Sequence, residues 1–193
     1  MSVTLSKGQQ ISLAKTGGHT PSLVRMGLGW KSVARKGLLA RLTARDIDLD
    51  ASAILFSAGE PQDVVFFEHL ASNDGSVHHS GDNLTGGTGH GEEDEWITVD
   101  LEQVPTHIDQ IVFVATSFTG QTFDEVESAF CRLVDETTDE ELARYTLSGG
   151  GRHTSQIMAK VQRDTGGWTM TAIGSRAGGR TFQDLMPAIG SHL

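Results

Sequence analysis

A chain of 193 residues is long enough for one well-filled core and too short for two average domains, so a single domain over 1–193 is the expectation. Hydrophobic residues make up only 37% and aromatics 6%, while 23 glycines point to many turns between short elements, a balance that favours β structure. A formal charge of −10 argues against nucleic acid as the main partner, and the absence of a long apolar run or of a basic-then-apolar start points to a soluble, cytoplasmic protein.

The charge is unevenly laid out along the chain. Residues 1–45 hold eight Lys or Arg and no acid, residues 46–131 hold eighteen Asp or Glu and no Lys or Arg, and residues 132–193 hold seven of each sign. A long cation-free segment repels itself unless positive charge is brought near, from the basic start or from a bound metal ion.

Taken in chain order, short β-like runs recur: "VTLSKG", "SLVRMGLGW", "IDLDASAILFS", "DVVFFEHL", "EWITVDL", "IDQIVFVATSF", "AFCRLVD", "ELARYTL", "SQIMAKVQRD" and "GWTMTAIGS". Their number and spacing predict an all-β fold, a two-sheet antiparallel β-sandwich with one or two short helices. In "IDLDASAIL" the alternation places Ile47, Leu49, Ala51 and Ala53 on one face and Asp46, Asp48, Asp50 and Ser52 on the other, so three carboxylates share one side of one strand. Turns are predicted at "NDG" (73–75) and "DTGGW" (164–168), where glycine supplies positive φ. A helical turn is expected near 122–127, then a hairpin pairing "AFCRLV" with "LARYTL", and a C-terminal helix in "TFQDLMPAIGSHL" broken by Pro187. The basic segment "KSVARKGLLARLTAR", from Lys31 to Arg45, reads as a loop or a short amphipathic helix. Cys131 sits in an apolar run and reads as a buried bystander, and the three tryptophans read as core or sheet-edge residues.

The densest chemistry is in "GDNLTGGTGHGEEDE" (81–95). Hard divalent cations take several oxygen ligands from a backbone that can turn its carbonyls inward. Here Asp82, Asn83 and Thr85 offer side-chain oxygens, the glycines, Gly89 among them, let the loop fold tightly, and Glu92, Glu93, Asp94 and Glu95 close it with carboxylates. The bland alternative is a solvated acidic loop. An EF-hand is excluded: counted from Asp82 the third and fifth positions are Leu84 and Gly86, and counted from Asp46 the required Gly is Ala51 and the closing Glu is Ser57. No phosphate-binding loop is present, since the glycine run lacks a Gly-Lys-Ser/Thr ending. His78, His79 and His90 raise a transition-metal site as a rival, although adjacent histidines on a strand point to opposite faces and read better as surface residues. The acceptor pattern "NLT" at 83–85 goes unused without export, and no nucleophile motif marks a catalytic centre.

These residues resemble the TerD-type tellurium-resistance and stress proteins of bacteria. The likeness runs from "MSVTLSKGQQISL" through "VRMGLGW", "DIDLDASAILF", "SNDGSVHHSGDNLTG", "EEDEWITVDLEQVP" and "IDQIVFVATSF" to "AFCRLVD", "ELARYTLS" and "AIG". The resemblance implies a β-sandwich that binds Ca²⁺, one or two ions, with Asp48 and Asp50 on the strand, Asp82 and Asn83 opening the loop and Glu93, Asp94 and Glu95 at its exit. It also implies a non-enzymatic part in tellurite and broader stress resistance, with other tellurium-resistance or stress proteins as partners in a membrane-associated complex, no small-molecule substrate, and a place at the inner face of the membrane. Lys31 stands where the family usually has Asp, and the loop is longer than usual, so which one or two of Glu92 to Glu95 reach the ion stays open. Two other classes are carried forward: an adaptor docking through the basic 31–45 segment on acidic partners or a membrane surface, and a metal-dependent hydrolase or tellurite-modifying enzyme.

Overall fold

The computed structural model describes residues 2–14, 21–31, 47–87, 93–126, 128–147 and 151–193. Twelve strands are described within them: β1 (Val3–Thr4), β2 (Gln10–Ser12), β3 (Leu23–Gly29), β4 (Leu49–Ser57), β5 (Glu60–Val65), β6 (Val77–His79), β7 (Glu95–Asp100), β8 (Gln110–Ser117), β9 (Phe130–Asp135), β10 (Glu140–Thr146), β11 (Ser155–Asp164) and β12 (Gly167–Ala177). They form two six-stranded sheets, one ordered β1-β10-β9-β3-β7-β6 and the other β2-β12-β11-β8-β4-β5. Every pairing is antiparallel except that of β1 with β10. This is the expected β-sandwich.

The alternation that predicts the strands also builds the core. Val24, Met26 and Leu28 of β3, Ile97 and Val99 of β7, and Cys131 and Leu133 of β9 face Leu49, Ala51, Ala53 and Leu55 of β4 and Ile111, Phe113 and Ala115 of β8 in one buried cluster. The second sheet is apolar on its outer face as well. There Ile54, Phe56, Val112, Val114, Ile157 and Ile173 pack beneath an α-helix, α1 (Phe182–Ile189), which buries Leu185 and Ile189. Pro187 lies inside α1 and does not break it. The proline removes one helical N–H, but burial of Leu185 and Ile189, both fully inaccessible, holds the turn on either side of it.

The turn near 122–127 is a 3-10 helix over Phe123–Glu125, and β9 pairs with β10 in the register that a 130–146 hairpin requires, Cys131 opposite Tyr145. At the two turns read from glycine, Gly75 has φ +74° and Gly167 φ +122°. Trp30 and Trp168 are buried, as is Cys131, whose thiol is pushed up to about 12 by burial and stays protonated and inert. Most of the basic 31–45 segment lies outside the described residues. Among those described, no helix is long and apolar enough to cross a membrane.

Candidate metal centre

The architecture leaves a gap where the acidic residues meet. Strand β5 pairs with β4 only from Ala53 onward, whereas β8 follows β4 from Leu49. The first residues of β4 thus lack a neighbour on one side, and side chains of the other sheet fill in for it. Glu95 at the start of β7 accepts the Ala51 N–H (2.8 Å), and His79 at the end of β6 donates through Nε2 to the Ala51 carbonyl (3.1 Å). In a strand both polar groups of one residue point to the same side, so Glu95 and His79 together replace one rung of the missing ladder. His79 Nδ1 accepts the Gly81 N–H at 3.0 Å, which leaves Nε2 as the ring nitrogen that donates. His78 is exposed, as read, but the His79 side chain is fully buried 3.5 Å from Glu95. The period-2 pattern from buried Val77 could have revealed it, because positions 77 and 79 share a face.

The same acid ties down the 81–87 loop. Glu95 Oε1 accepts the Asn83 N–H at 3.0 Å, and Asn83 Nδ2 donates to the Asp94 carbonyl at 3.2 Å. Asn83 Oδ1 accepts the N–H groups of Thr85 and Gly86, each at 3.2 Å, and the Thr85 hydroxyl at 3.5 Å, closing a side-chain turn. Gly86 follows at φ +62°, its α-carbon so close to the Trp30 indole that an added Cβ would fall 2.2 Å from Nε1. That indole donates to the Ile47 carbonyl at 2.8 Å, so loop, tryptophan and the lead-in to β4 form one contact chain. Gly86→Ala is expected to cost about 1–2 kcal/mol through backbone strain and a displaced Trp30, read as an earlier urea midpoint with altered tryptophan emission.

These restraints bring Asp48, Asp50 and Asp82 together, with one carboxylate oxygen of each within 4.8 Å of the others. Asp48 and Asp50 are buried, 8% and 4% exposed, while Asp82 is exposed. Asp48 Oδ1 and Asp50 Oδ2 have no hydrogen-bond partner among the described residues. Burial pushes the Asp50 carboxyl up to about 8, helped by the charges of Asp48, Glu95 and Asp82 and opposed by the Phe118 backbone N–H; burial, then Asp82 and Glu95, push Asp48 up to about 6. No Lys or Arg forms an ion pair with these three among the described residues. Buried orphan oxygens on mutually repelling carboxylates fit a hard, oxygen-seeking cation, which would supply the missing positive charge.

Of the other residues read as ligands, the described ones hold the site's frame. Glu93 lies across the outer face of the first sheet, 2.7 Å from Arg132 Nε and 3.7 Å from Arg25, in space that exists because residue 27 is glycine; a Cβ there would meet Glu93 at 2.3 Å. Here the basic start does neutralise part of the acidic segment. Asp94 Oδ2 accepts the Trp30 N–H at 2.9 Å. Asp74 of the "NDGS" turn caps its own loop, accepting the Ser76 N–H at 2.7 Å. Asp46, Gly89, His90 and Glu92 lie outside the described residues.

A family model described as the TerD domain matches residues 1–187. The tellurium resistance protein TerZ of Serratia marcescens is 44% identical over 186 residues, covering 95% of this chain and 94% of that protein. General stress protein 16U of Bacillus subtilis is 40% identical over 184 residues, 91% of each chain. The crystal structure of a homologue of telluride resistance protein from Streptomyces coelicolor, 20% identical, superposes with a TM-score of 0.69 over 88% of this chain and 97% of that one, a likeness of fold. The acidic strand of β4, the glycine-bent loop and a sandwich that joins them are thus found in a chain that, on these matches, belongs to the TerD family of tellurium-resistance and stress proteins.

Proposed function

We propose that this chain is a calcium-binding stress-response module of the tellurium-resistance type, acting without catalysis by presenting a metal-stiffened surface to partner proteins. The observation that carries this is the trio Asp48, Asp50 and Asp82, crowded together with unpartnered buried oxygens and no ion-paired Lys or Arg among the described residues. All three are oxygen donors, which suits Ca²⁺ better than a nitrogen- or sulfur-seeking metal, and His79 is already committed to the β4 backbone. When bound, the ion supplies positive charge and coordination but no reaction. Because Asp82 stands on the loop, Asp48 immediately before β4 and Asp50 within it, holding all three fixes the 81–87 segment on β4. Residues 1–193 act as one unit in this reading, since both sheets contribute to one core. The named relatives suggest other tellurium-resistance and stress proteins as partners, met in the cytoplasm or at the inner face of the membrane.

The raised carboxyls set a pH signature. In the metal-free fold Asp50 and Asp48 hold protons that the unfolded chain, at an ordinary 3.8, has released, so their contribution to stability is full below about pH 4 and falls as pH rises through about 6 and about 8. Calcium requires the ionised forms, so its affinity rises across the same range and binding near pH 7 expels protons. Titrations in two buffers of different ionisation heat are expected to give different apparent enthalpies, and Asp50→Asn is expected to remove most of the difference. Buffer-independent heats with full calcium binding would overturn the assignment of Asp50 as a ligand.

A further inference from the structure

The outer face of the second sheet carries a cleft that shares Asp50 with the metal centre and is otherwise unused by the metal reading. It lies between the start of α1 and the turn after β5, and its volume is about 150 Å³. Its floor is Asp50, Ser52 and Thr116, each at most 4% exposed. Its walls are four phenylalanines drawn from three distant parts of the chain. Phe66 meets Phe67 edge-on at 5.5 Å and Phe182 at 5.2 Å, and Phe67 meets Phe118 at 5.9 Å. Phe118 is 50% exposed, an unusual degree for so large an apolar side chain.

We infer that this cleft binds a small organic ammonium ion, an amine with one aromatic ring or a body of similar size. Asp50 contributes a buried carboxyl group whose Oδ2 has no partner among the described residues, and a cationic N–H donor is the ligand group that satisfies its ionised form most strongly. The Ser52 and Thr116 hydroxyls beside it can accept the remaining ammonium protons. Phenylalanine faces attract cations, and their edges and rims receive an apolar body. A cavity of about 150 Å³ holds a single benzene-sized ring, which sets the size. Among the described residues the acidic side chains outnumber the basic: Asp50 and Glu68 line the cleft against one cation, Arg180, which is exposed at its mouth. An anion would face both carboxylates. Because Asp50 belongs also to the acidic trio, ammonium and divalent cation compete for it.

The test is a titration of the full chain, stripped with chelator, with 2-phenylethylammonium, followed by amide NMR shifts. Saturable shifts at Phe118 and Gln183 are expected, with affinity reduced at least about tenfold by Asp50→Asn, by Phe118→Ala, or by CaCl₂. Asp82→Ala, outside the cleft, is expected to keep amine binding while losing the calcium response. Equal or tighter binding of 2-phenylethanol or 3-phenylpropionate, or amine binding indifferent to Asp50→Asn, overturns the inference. Calcium binding without amine binding likewise sinks this inference alone, whereas amine binding without any calcium binding sinks only the metal reading.

Discussion

Calcium at about 100 times its dissociation constant is expected to raise the unfolding free energy by about 2.7 kcal/mol, a melting-temperature gain of about 5–11 °C for a chain of this length. Asp82→Ala should abolish most of that gain. The substitution is informative because Asp82 is exposed and, among the described residues, accepts no hydrogen bond, so in the absence of metal the main effect of its loss is to relieve like-charge repulsion on Asp48 and Asp50. The metal-free variant is therefore expected to melt at the same temperature as the metal-free parent or slightly above it. A calcium response of equal size in both proteins would place the ion elsewhere.

Glu95→Ala is expected to cost about 3–5 kcal/mol with or without metal, more than any single ligand substitution. Glu95 is fully buried and joins three segments: it accepts from Ala51 in the second sheet and from Asn83 in the loop while lying beside His79. Truncation strands two backbone N–H groups and opens a void between the sheets. Glu95→Gln keeps one carbonyl oxygen but turns an N–H₂ toward one of those donors, so a smaller loss is expected, about 1–3 kcal/mol. Both variants should also weaken calcium binding, because the loop that carries Asp82 loses its tie to β4. Urea unfolding followed by tryptophan emission measures the first effect; a loss below about 1 kcal/mol for Glu95→Ala would contradict the role given to this side chain.

Local rules made the sheets legible, and long-range contacts decided the rest. Strict alternation in "IDLDASAIL" told which face of β4 is core and which is acidic, and glycine placement told where the 73–75 and 164–168 turns fall. The exit acids could not be separated in this way. Glu93, Asp94 and Glu95 are consecutive, so each points in its own direction, and what each meets depends on strands remote in sequence: Arg132 from β9, the Trp30 backbone after β3, and Ala51 within β4. The burial of His79 could be read from its alternation with Val77, but its partner, 28 positions away, was hidden for the same reason. The helix through Pro187 shows tertiary burial overriding a local breaker, since the apolar outer face beneath it is assembled from β4, β8, β11 and β12. The aromatic cleft had no local signal at all, because Phe66, Phe118 and Phe182 meet only once the chain is folded.

The central claim is that the strand and the loop close on one hard cation through Asp48, Asp50 and Asp82. Calorimetric titration of the chelator-stripped chain with CaCl₂, alongside Asp50→Asn and Asp82→Ala, tests it most directly. Saturable binding in the parent chain, lost or weakened by at least about a hundredfold in both variants, is the expected result. Binding of unchanged affinity in either variant, or no binding heat in the parent at two temperatures, would contradict it.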